Sequence, residues 1–240
     1  MSMPFACGEF LWYLRGSNRL EHIEYYSKMY PKFSDDKTTV NGAYGERIFG
    51  GSFSQWEQIK SILQKDPDSR QAVIAIYQPR DVFSSSVDIP CTCVLQYLIR
   101  DNALHCITYM RSNDIFLGMP YDIFSFTMLQ ELLSCELNVK LGTYTHMVGS
   151  LHIYEKNFNI LDSIDTKIER LSYIMPQMTK NTIKPSQISL ILDLEESLRE
   201  NKNKCTNYND IDPYWSNIIH ILENKNKQSY GLKEENDRNK

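Results

Sequence analysis

The centre of the chain changes its hydrophobic period, and this change restricts the fold more than any other feature of the sequence. Residues 72–77 are apolar and largely β-branched, and two similar runs, 93–99 and 104–110, flank the turn signal Asp101-Asn102. Such runs predict one strand followed by an antiparallel hairpin. Residues 120–137 then carry apolar side chains at helical spacing, which predicts a long buried helix directly after the hairpin.

Further elements are predicted on both sides of this centre. Apolar side chains at helical spacing predict additional helices at residues 8–16, 18–29, 52–64, 160–173 and 188–198. A strand with a kink at Gly149 is predicted over 143–154, and a loop over 34–39. The first helix is expected to end at a glycine, Gly16.

Length and composition predict one domain. A chain of 240 residues with 42% hydrophobic side chains is long enough for one sizeable core and does not require a second. We predict a single domain over residues 1–223. Residues 224–240 are too polar to be buried, so a disordered tail is expected there.

Charge and cysteine usage exclude several classes of protein. The net charge of -4 argues against a nucleic-acid-binding surface, because phosphate-backbone binding relies on clustered lysine and arginine. No apolar run approaches the roughly 20 residues that a membrane-spanning helix needs. The six cysteines lack metal-site spacing, and no charged-then-apolar leader precedes them. Reduced thiols, no metal and a cytoplasmic location are therefore expected.

Cys91 follows Pro90, directly before the start of a predicted strand. A thiol placed there and surrounded by arginines from other segments would have a lowered pKa and act as a nucleophile. The sequence does not show which arginines approach it. Taken alone, Cys91 is better interpreted as another buried cysteine.

Eight separate motifs change this interpretation, since they occur in the order found in one family. They are Gly8-Glu9-Phe10-Leu11-Trp12-Tyr13-Leu14-Arg15-Gly16, Asn41-Gly42-Ala43-Tyr44-Gly45, Asp68-Ser69-Arg70, Pro90-Cys91, Gln96-Tyr97-Leu98-Ile99-Arg100-Asp101, Met110-Arg111-Ser112-Asn113-Asp114, Phe116-Leu117-Gly118-Met119-Pro120-Tyr121-Asp122 and Gly149-Ser150-Leu151-His152-Ile153-Tyr154. Over residues 8–158 the chain resembles the thymidylate synthase family, and within it most the deoxycytidylate (dCMP) and cytidylate 5-hydroxymethylase branch.

This resemblance implies a fold, a chemistry and an assembly. The fold is α+β, with a mixed, mainly antiparallel sheet packed against helices, and two chains pair sheet to sheet as a homodimer. Cys91 is implied as the nucleophile that adds to carbon 6 of the pyrimidine, so that carbon 5 can attack the one-carbon unit of 5,10-methylenetetrahydrofolate. Arg111 and Ser112 match the phosphate-binding pair, and Arg70 matches an arginine that reaches the partner's phosphate site.

The remaining site residues are implied in the same way. Glu9 matches a glutamate that organises water and moves protons around the ring, and Tyr44 matches a tyrosine of the same proton network. His152 and Tyr154 match a pair that hydrogen-bonds the sugar hydroxyl. The folate site is implied to consist of Asp114, Leu117, Gly118 and Tyr121. Outside the motifs, most of these residues would be interpreted as ordinary packing or surface residues.

Several positions depart from the family pattern. Gln71 stands where a second phosphate-binding arginine is usual, and the amino-terminal arginine loop of the relatives has no counterpart here. We expect either a truncated start or a nucleotide that is held differently, with Arg15, Arg19 and Arg47 as candidate replacements. Thr92 replaces a histidine, and Tyr30 and Phe33 replace two tryptophans that help to exclude water, which favours hydration of the methylene intermediate.

Asp122 indicates which base is bound, because thymidylate synthases carry asparagine there. Uracil offers a ring N–H donor beside a carbonyl acceptor, which a side-chain amide matches. Cytosine offers the opposite pattern, and a carboxyl group that is protonated, or that shares a proton with the ring nitrogen, suits it better. We therefore expect a cytidylate 5-hydroxymethylase. A thymidylate synthase acting on dUMP, a degenerate nucleotide-binding homologue, and a purely helix-capping Asp122 remain alternatives.

Overall fold

The computed structural model describes residues 1–161, 176–201 and 210–238, with side chains as far as 159, over 176–201 and over 210–225. Its helices are α1 (Met3–Leu14), α2 (Leu20–Glu24), α3 (Tyr44–Phe49), α4 (Gln55–Lys65), α5 (Pro79–Val82), α6 (Met119–Leu137), α7 (Phe158–Leu161), α8 (Pro185–Arg199) and α9 (Pro213–Arg238), with 3-10 turns at Tyr30–Phe33 and Glu155–Asn157. Its strands are β1 (Val73–Ala75), β2 (Thr92–Arg100), β3 (Ala103–Met110), β4 (Asn113–Asp114), β5 (Lys140–Val148) and β6 (Leu151–His152).

The principal sheet has four strands in the order β1-β2-β3-β5. The pairs β1–β2 and β2–β3 are antiparallel, whereas β3–β5 is parallel. Asp101 and Asn102 close the β2–β3 hairpin with φ values of 52° and 58°, as a two-residue turn between twisted strands requires. The α+β fold with a mixed, mainly antiparallel sheet is therefore confirmed.

Helix α6 packs against β3 and β5 on one face of this sheet, and α1 packs against α6 and α9. The inward side chains of β2 and β3, among them Leu95, Tyr97 and Leu104, are fully buried together with Phe10 of α1 and Phe126 of α6. The low exposure of α1 follows from its apolar composition, which is not confined to one side of the helix. Glu9 and Asp122 are thereby carried into the interior on α1 and α6.

The opposite face of the sheet carries several exposed apolar side chains, and none of the helices that the structure describes packs on it with its side chains buried. Val94 of β2 pairs with Tyr109 of β3, which in turn pairs with Met147 of β5, so the three side chains share one face. Tyr109 is 42% exposed and Met147 is 50% exposed. Such a surface is unusual for a chain that functions alone.

Two predicted boundaries are wrong. The helix expected over 18–29 is limited to α2, because Tyr26 turns back to pack on Gly8, where a Cβ atom would lie 2.5 Å from the Tyr26 ring. The strand expected over 143–154 begins at Lys140 and is interrupted at Gly149, whose N–H donates to the Met110 carbonyl at 2.8 Å. The kink was placed correctly, and the start was missed because residues 140–142 carry few strand-forming side chains.

The other predicted helices lie close to their expected positions, although α1 begins earlier, at Met3, and α6 and α8 extend one to three residues beyond the expected ends. Most of the segment 160–173 lies outside the described residues. The backbone of α9 is helical as far as Arg238, although disorder was expected from Asn224. The division of the chain into 1–223 and a tail stays a prediction.

Candidate active site

Glu9 lies in the middle of α1 and is 6% exposed. The Tyr30 hydroxyl donates a hydrogen bond to its carboxyl oxygen Oε1 at 3.0 Å. Burial, together with the nearby Asp122 carboxyl, raises the pKa of Glu9 to about 8. Since one hydrogen bond does not compensate a buried carboxylate, Glu9 is held as a neutral acid near pH 7. This is the environment in which carboxyl groups move protons.

Cys91 lies at the end of a loop that is hydrogen-bonded to the segment before α3. The Gly42 N–H donates to the Asp88 carboxylate at 2.7 Å, and the Asn41 amide donates to the Asp88 carbonyl at 2.8 Å. The thiol is half-buried and free. Burial raises the pKa of Cys91, whereas the positive charge of Arg111 lowers it. In the isolated chain burial outweighs the arginine, contrary to the expectation of a lowered thiol pKa.

Arg111 follows β3 and lies against the loop that carries Cys91. Its guanidinium donates to the carbonyls of Pro90 and Ile89, both at 2.9 Å, and its backbone N–H donates to the Cys91 carbonyl. Arg111 itself remains exposed, and the adjacent Ser112 is half-buried. A guanidinium fixed by two carbonyls at the site entrance is suited to an anionic oxygen.

Asp122 occupies the first turn of α6. The Asn113 side-chain amide donates to its oxygen Oδ2 at 2.7 Å. Burial raises the pKa of Asp122 to about 7, although the bond from Asn113 lowers it. The N-cap of α6 is Gly118, so Asp122 does not cap the helix, and the capping alternative is wrong.

Tyr44 lies close to Cys91 and to Asp122. Its hydroxyl oxygen accepts a hydrogen bond from the Thr92 N–H at 3.2 Å, one residue after Cys91. Its ring stacks on Phe126 with the ring centres 6.1 Å apart. Burial, Asp122 and Cys91 all raise the pKa of Tyr44. The phenol is therefore a neutral hydrogen-bonding group between Cys91 and Asp122.

The residues expected to bind folate form one rim beside Asp122. The Asp114 carboxylate accepts hydrogen bonds from the N–H groups of Phe116 and Leu117, at 2.8 and 3.2 Å. Leu117 is 50% exposed. A Cβ atom on Gly118 would lie 3.0 Å from the Asn113 amide, and Tyr121 packs edge-on against Phe5 at 4.7 Å. This rim offers an open, partly apolar surface.

His152 and Tyr154 contact each other edge to face, with ring centres 5.1 Å apart. His152 lies in β6, whereas Tyr154 follows the strand. Arg70 is exposed in the segment between α4 and β1, at the edge of the principal sheet. Within one chain the structure does not bring Arg70 into contact with the other site residues that it describes.

The sequence reasoning missed three polar residues next to Asp122. They are Asn113, whose side chain bonds Asp122, and Tyr144 and His146 of β5, which continue the same hydrogen-bonded chain. The alternation of Tyr144, His146 and Val148 along β5 placed them on the covered face of the sheet. Tyr144 and His146 are polar residues on a face that is otherwise buried, and this could have marked them as site residues.

Two arginines proposed as phosphate ligands are engaged elsewhere. Arg47 is buried and paired with Asp81 at 2.5 Å, and Arg15 is paired with the buried Glu195 of α8 at 2.7 Å. Arg19 is exposed and pairs with Glu21. Arg15 and Arg47 therefore stabilise the fold and are wrong as replacements for the missing arginines.

Two surface cavities lie away from the candidate site. Their volumes are about 310 and 270 Å³, and they lie around Arg80, lined by residues such as Glu46, Gln55 and Asp36. Neither is lined by Cys91 or Asp122. In the described part of the chain, no group of three or more histidine, cysteine or acidic side chains is arranged to hold a metal ion. Nor does that part contain a helix long and apolar enough to cross a membrane.

Comparison with known proteins gives consistent matches. A family model described as "Thymidylate synthase" matches residues 1–210. The thymidylate synthase of Buchnera aphidicola subsp. Baizongia pistaciae (strain Bp) is 27% identical over 192 residues, which are 77% of this chain and 71% of that protein. The structure of thermostable thymidylate synthase A from Bacillus subtilis superposes with a TM-score of 0.59 at 23% identity, over 67% of this chain and 60% of that chain.

Proposed function

Because this chain belongs to the thymidylate synthase family, we propose that it is a one-carbon transferase acting on carbon 5 of a pyrimidine nucleotide. The substrate is a cytidylate, dCMP or CMP, the cosubstrate is 5,10-methylenetetrahydrofolate, and the product carries a hydroxymethyl group. The matched part spans about 60% of the compared synthase structure, and the activity is inferred from the site residues of this chain.

One observation carries the choice of base: the half-buried carboxyl group of Asp122, bonded to the Asn113 amide, has a pKa that desolvation raises to about 7. A neutral carboxyl group has one O–H donor and one carbonyl acceptor. The cytosine edge requires a donor opposite the ring nitrogen and an acceptor opposite the exocyclic amine. A protonated Asp122 supplies both when its O–H faces the ring nitrogen. Uracil requires the donor and the acceptor in the opposite order, so with the proton in this position it would lose about 1–3 kcal/mol for each buried group left unpaired.

The same proton supports the first chemical step. When the Cys91 thiolate bonds to carbon 6, the electrons of the carbon 5–carbon 6 double bond shift towards carbon 4, and those of the carbon 4–nitrogen 3 bond shift to nitrogen 3. Nitrogen 3 then takes the proton of Asp122, which becomes a carboxylate. The resulting neutral enamine has a nucleophilic carbon 5. A general acid of matched pKa contributes roughly 10²–10⁴ in rate to such a step.

Arg111 and Ser112 are the proposed phosphate ligands, and Arg111 also stabilises the thiolate. The direction of its effect on Cys91 supports this second role, because its positive charge lowers the pKa of the thiol. His152 and Tyr154 are proposed to bind the sugar hydroxyl, and Tyr44 to transfer protons next to the thiol. The ring contact between His152 and Tyr154 is consistent with a shared ligand.

The folate rim fits a flat ring system with a polar edge. Gly118 has no Cβ atom that would push the Asn113 amide away from Asp122, and Leu117 and Tyr121 offer apolar surface beside the Asp114 carboxylate. We assign the folate to these four residues. When bound, the folate supplies a one-carbon unit at the oxidation level of formaldehyde.

Water beside Glu9 is proposed to complete the reaction. The Tyr30 hydroxyl donates to Glu9, and Phe33, which packs against Tyr30 at 6.0 Å, is 45% exposed. A hydroxyl and a partly exposed ring exclude water less completely than two tryptophans. Glu9 can orient a water molecule and, once it has lost its own proton, can take the proton of that water, so a hydroxymethyl group is the expected product.

A homodimer is proposed through the uncovered face of the principal sheet, which carries Val94, Tyr109 and Met147. The exposed apolar side chains on that face support it. Arg70, at the sheet edge, would then lie near the partner's phosphate site and contribute the charge that Gln71 does not supply.

Thymidylate synthase activity on dUMP is the second candidate, favoured by the names of the relatives in the comparisons. In this case uracil would bind and hydride transfer from the folate would leave a methyl group. An ionised Asp122 would have to accept the uracil N–H and would face the carbonyl oxygen with a second acceptor. This mismatch makes cytidylate the preferred proposal.

The discriminating experiment incubates the purified protein and methylenetetrahydrofolate with dCMP, CMP or dUMP, and identifies the nucleotide product by mass spectrometry. We expect 5-hydroxymethylcytidylate without dihydrofolate absorbance. An Asp122→Asn variant should lower kcat for cytidylate roughly 10²–10⁴-fold, since an amide cannot protonate nitrogen 3. Asp101→Asn, a change in the exposed hairpin turn, is the matched control. Dihydrofolate formation with dUMP and no cytidylate product would establish the second candidate.

A further inference from the structure

Asp122 is the end of a hydrogen-bonded chain of side chains that begins on β5. The Tyr144 hydroxyl lies 2.7 Å from His146 Nδ1, and His146 Nε2 lies 3.0 Å from Asn113 Oδ1. Asn113 Nδ2 donates to Asp122 Oδ2 at 2.7 Å. We call Tyr144, His146 and Asn113 the β5 relay.

The donors and acceptors of the relay point in one direction. Asn113 Oδ1 can only accept, so His146 Nε2 must carry a hydrogen. Burial lowers the pKa of His146, which favours the neutral ring, and the other ring nitrogen then accepts from the Tyr144 hydroxyl. Each bond in the chain is therefore a donation towards Asp122, and it fixes the orientation of the Asn113 amide.

The fold provides this arrangement at a position where polar side chains need partners. Tyr144 and His146 are two residues apart on β5 and so share the covered face of the principal sheet. Asn113 is 3% exposed, and its backbone N–H donates to the Ser150 carbonyl at 3.0 Å. An unpaired buried amide is unfavourable, and both ends of the Asn113 amide are satisfied by the relay and Asp122.

Oδ2 of Asp122 accepts the Asn113 hydrogen, and a carbonyl oxygen is a better acceptor than a hydroxyl, so the bond favours the neutral acid with its proton on Oδ1. Oδ2 keeps a second lone pair and can also accept from an exocyclic amine. The acid then presents a donor and an acceptor in a fixed order. If the Asn113 amide turned over, its Oδ1 would accept the acid proton, and that proton would no longer be available to the base.

We propose that the β5 relay selects the base by fixing which oxygen of Asp122 carries the proton, so that Asp122 Oδ1 meets the cytosine ring nitrogen and Oδ2 meets the exocyclic amine. This proposal rests on the proposed cytidylate function. Tyr144, His146 and Asn113 act through Asp122 and are positioning residues that determine specificity.

Several other groups act on the same carboxyl, and the test must separate them from the relay. The titratable groups whose charges interact with Asp122 are Glu9 and Tyr13 of α1, Tyr44 of α3, Cys91 before β2 and Tyr144 of β5. The bond from Asn113 lowers the pKa of Asp122. Loss of a correctly oriented Asn113 should therefore raise that pKa.

The first measurement needs no activity. Protein labelled with ¹³C at the aspartate carboxyl carbons is titrated by NMR without ligands, and the Asp122 signal is assigned by its loss in Asp122→Asn. His146→Phe should raise the pKa of Asp122 by about one pH unit, roughly the effect of one hydrogen bond. His146→Gln retains an N–H donor and a carbonyl acceptor and should restore the wild-type value. His220→Phe, an exposed histidine of α9, is the matched control.

The second measurement compares kcat/KM for dCMP, CMP and dUMP across pH. In His146→Phe we expect about a tenfold loss of cytidylate preference over dUMP, and an alkaline limb at higher pH, because the acid deprotonates later. Tyr144→Phe, which removes a hydroxyl and keeps the ring, should change both readouts in the same direction by a smaller amount. Tyr144→Phe also tests the relay if His146→Phe does not fold.

An unchanged Asp122 pKa and an unchanged base preference in His146→Phe and Tyr144→Phe would overturn the relay and leave the proposed function standing. Equal losses in His146→Phe and His146→Gln would also overturn it, since they would indicate packing alone. If the wild type used dUMP and no cytidylate, the proposed function would fail, and the NMR titration would still decide whether the relay controls the Asp122 proton.

Discussion

Replacement of Asp122 by asparagine should stabilise the protein at alkaline pH, although it removes a residue of the candidate site. In the folded chain the pKa of Asp122 is raised from 3.8 to about 7 by burial. The unfolded chain ionises this group near pH 4. Between these two pKa values the folded state binds one more proton than the unfolded state. The free energy of unfolding therefore falls as pH rises through this window, and the contribution of Asp122 is fully lost above about pH 7.

The size of the effect follows from the two pKa values. At 1.36 kcal/mol for each tenfold change in acid strength, the full window corresponds to about 4 kcal/mol. About 2–3 kcal/mol of this is expected between pH 5 and pH 8. The amide that Asp122→Asn introduces does not titrate, and its carbonyl can accept the same hydrogen bond from Asn113. Loss of the Asp122 charge also lowers the pKa of Glu9, which acts in the same direction.

Urea unfolding at fixed protein concentration, measured at pH 5 and pH 8, tests this. The stability of Asp122→Asn relative to the wild type should increase by about 2–3 kcal/mol from the lower to the higher pH. Asp101→Asn should show no pH-dependent difference, because this side chain is exposed in the hairpin turn. An equal difference between Asp122→Asn and the wild type at both pH values would refute the assignment of Asp122 as a neutral buried acid.

Three further predictions address the nucleophile, the core and the assembly. Cys91→Ala should abolish tritium release from carbon 5 of labelled nucleotide, whereas Cys93→Ala, two residues along the same segment, should retain it; release from Cys91→Ala would contradict the nucleophile. Arg47→Met should destabilise the fold by about 3–5 kcal/mol in urea unfolding, because it leaves the buried Asp81 charge unpaired, whereas the exposed Arg80→Met should change it by less than about 0.5 kcal/mol. Met147→Glu should convert a dimer to a monomer in sedimentation experiments, and an unchanged mass would reject the sheet face as the interface.

Sequence patterns predicted the elements whose signals are local. The hairpin was placed by Asp101-Asn102, since a two-residue turn with positive φ favours these side chains. The length of α6 followed from its continuous apolar composition. The end of α2 was not predictable, because it depends on the contact of Tyr26 with Gly8. This contact joins segments whose approach no local pattern encodes.

Identification of the site residues depended almost entirely on the resemblance to the family. The structure adds the burial and the contacts of these residues, which a motif does not contain. Burial of Glu9 and Asp122 in apolar helices could be expected, but their mutual effect on pKa requires α1 and α6 to be adjacent. The roles of Arg15 and Arg47 were misjudged because their partners, Glu195 and Asp81, are distant in sequence. Ion pairs of this kind leave no periodic signal.

The two carboxyl groups of the site function as a pair. The Tyr30 hydroxyl donates a hydrogen bond to Glu9, and the Asn113 amide donates one to Asp122. The charge of Asp122 raises the pKa of Glu9. In the proposed mechanism Asp122 gives its proton to the ring nitrogen, and its new charge then raises the pKa of Glu9. When the proton returns to Asp122, Glu9 becomes the stronger acid and can ionise to accept a proton from water. We therefore expect the limbs of the pH profile to belong to the pair, and ring protonation to precede water activation, because the charge of Asp122 controls the pKa of Glu9.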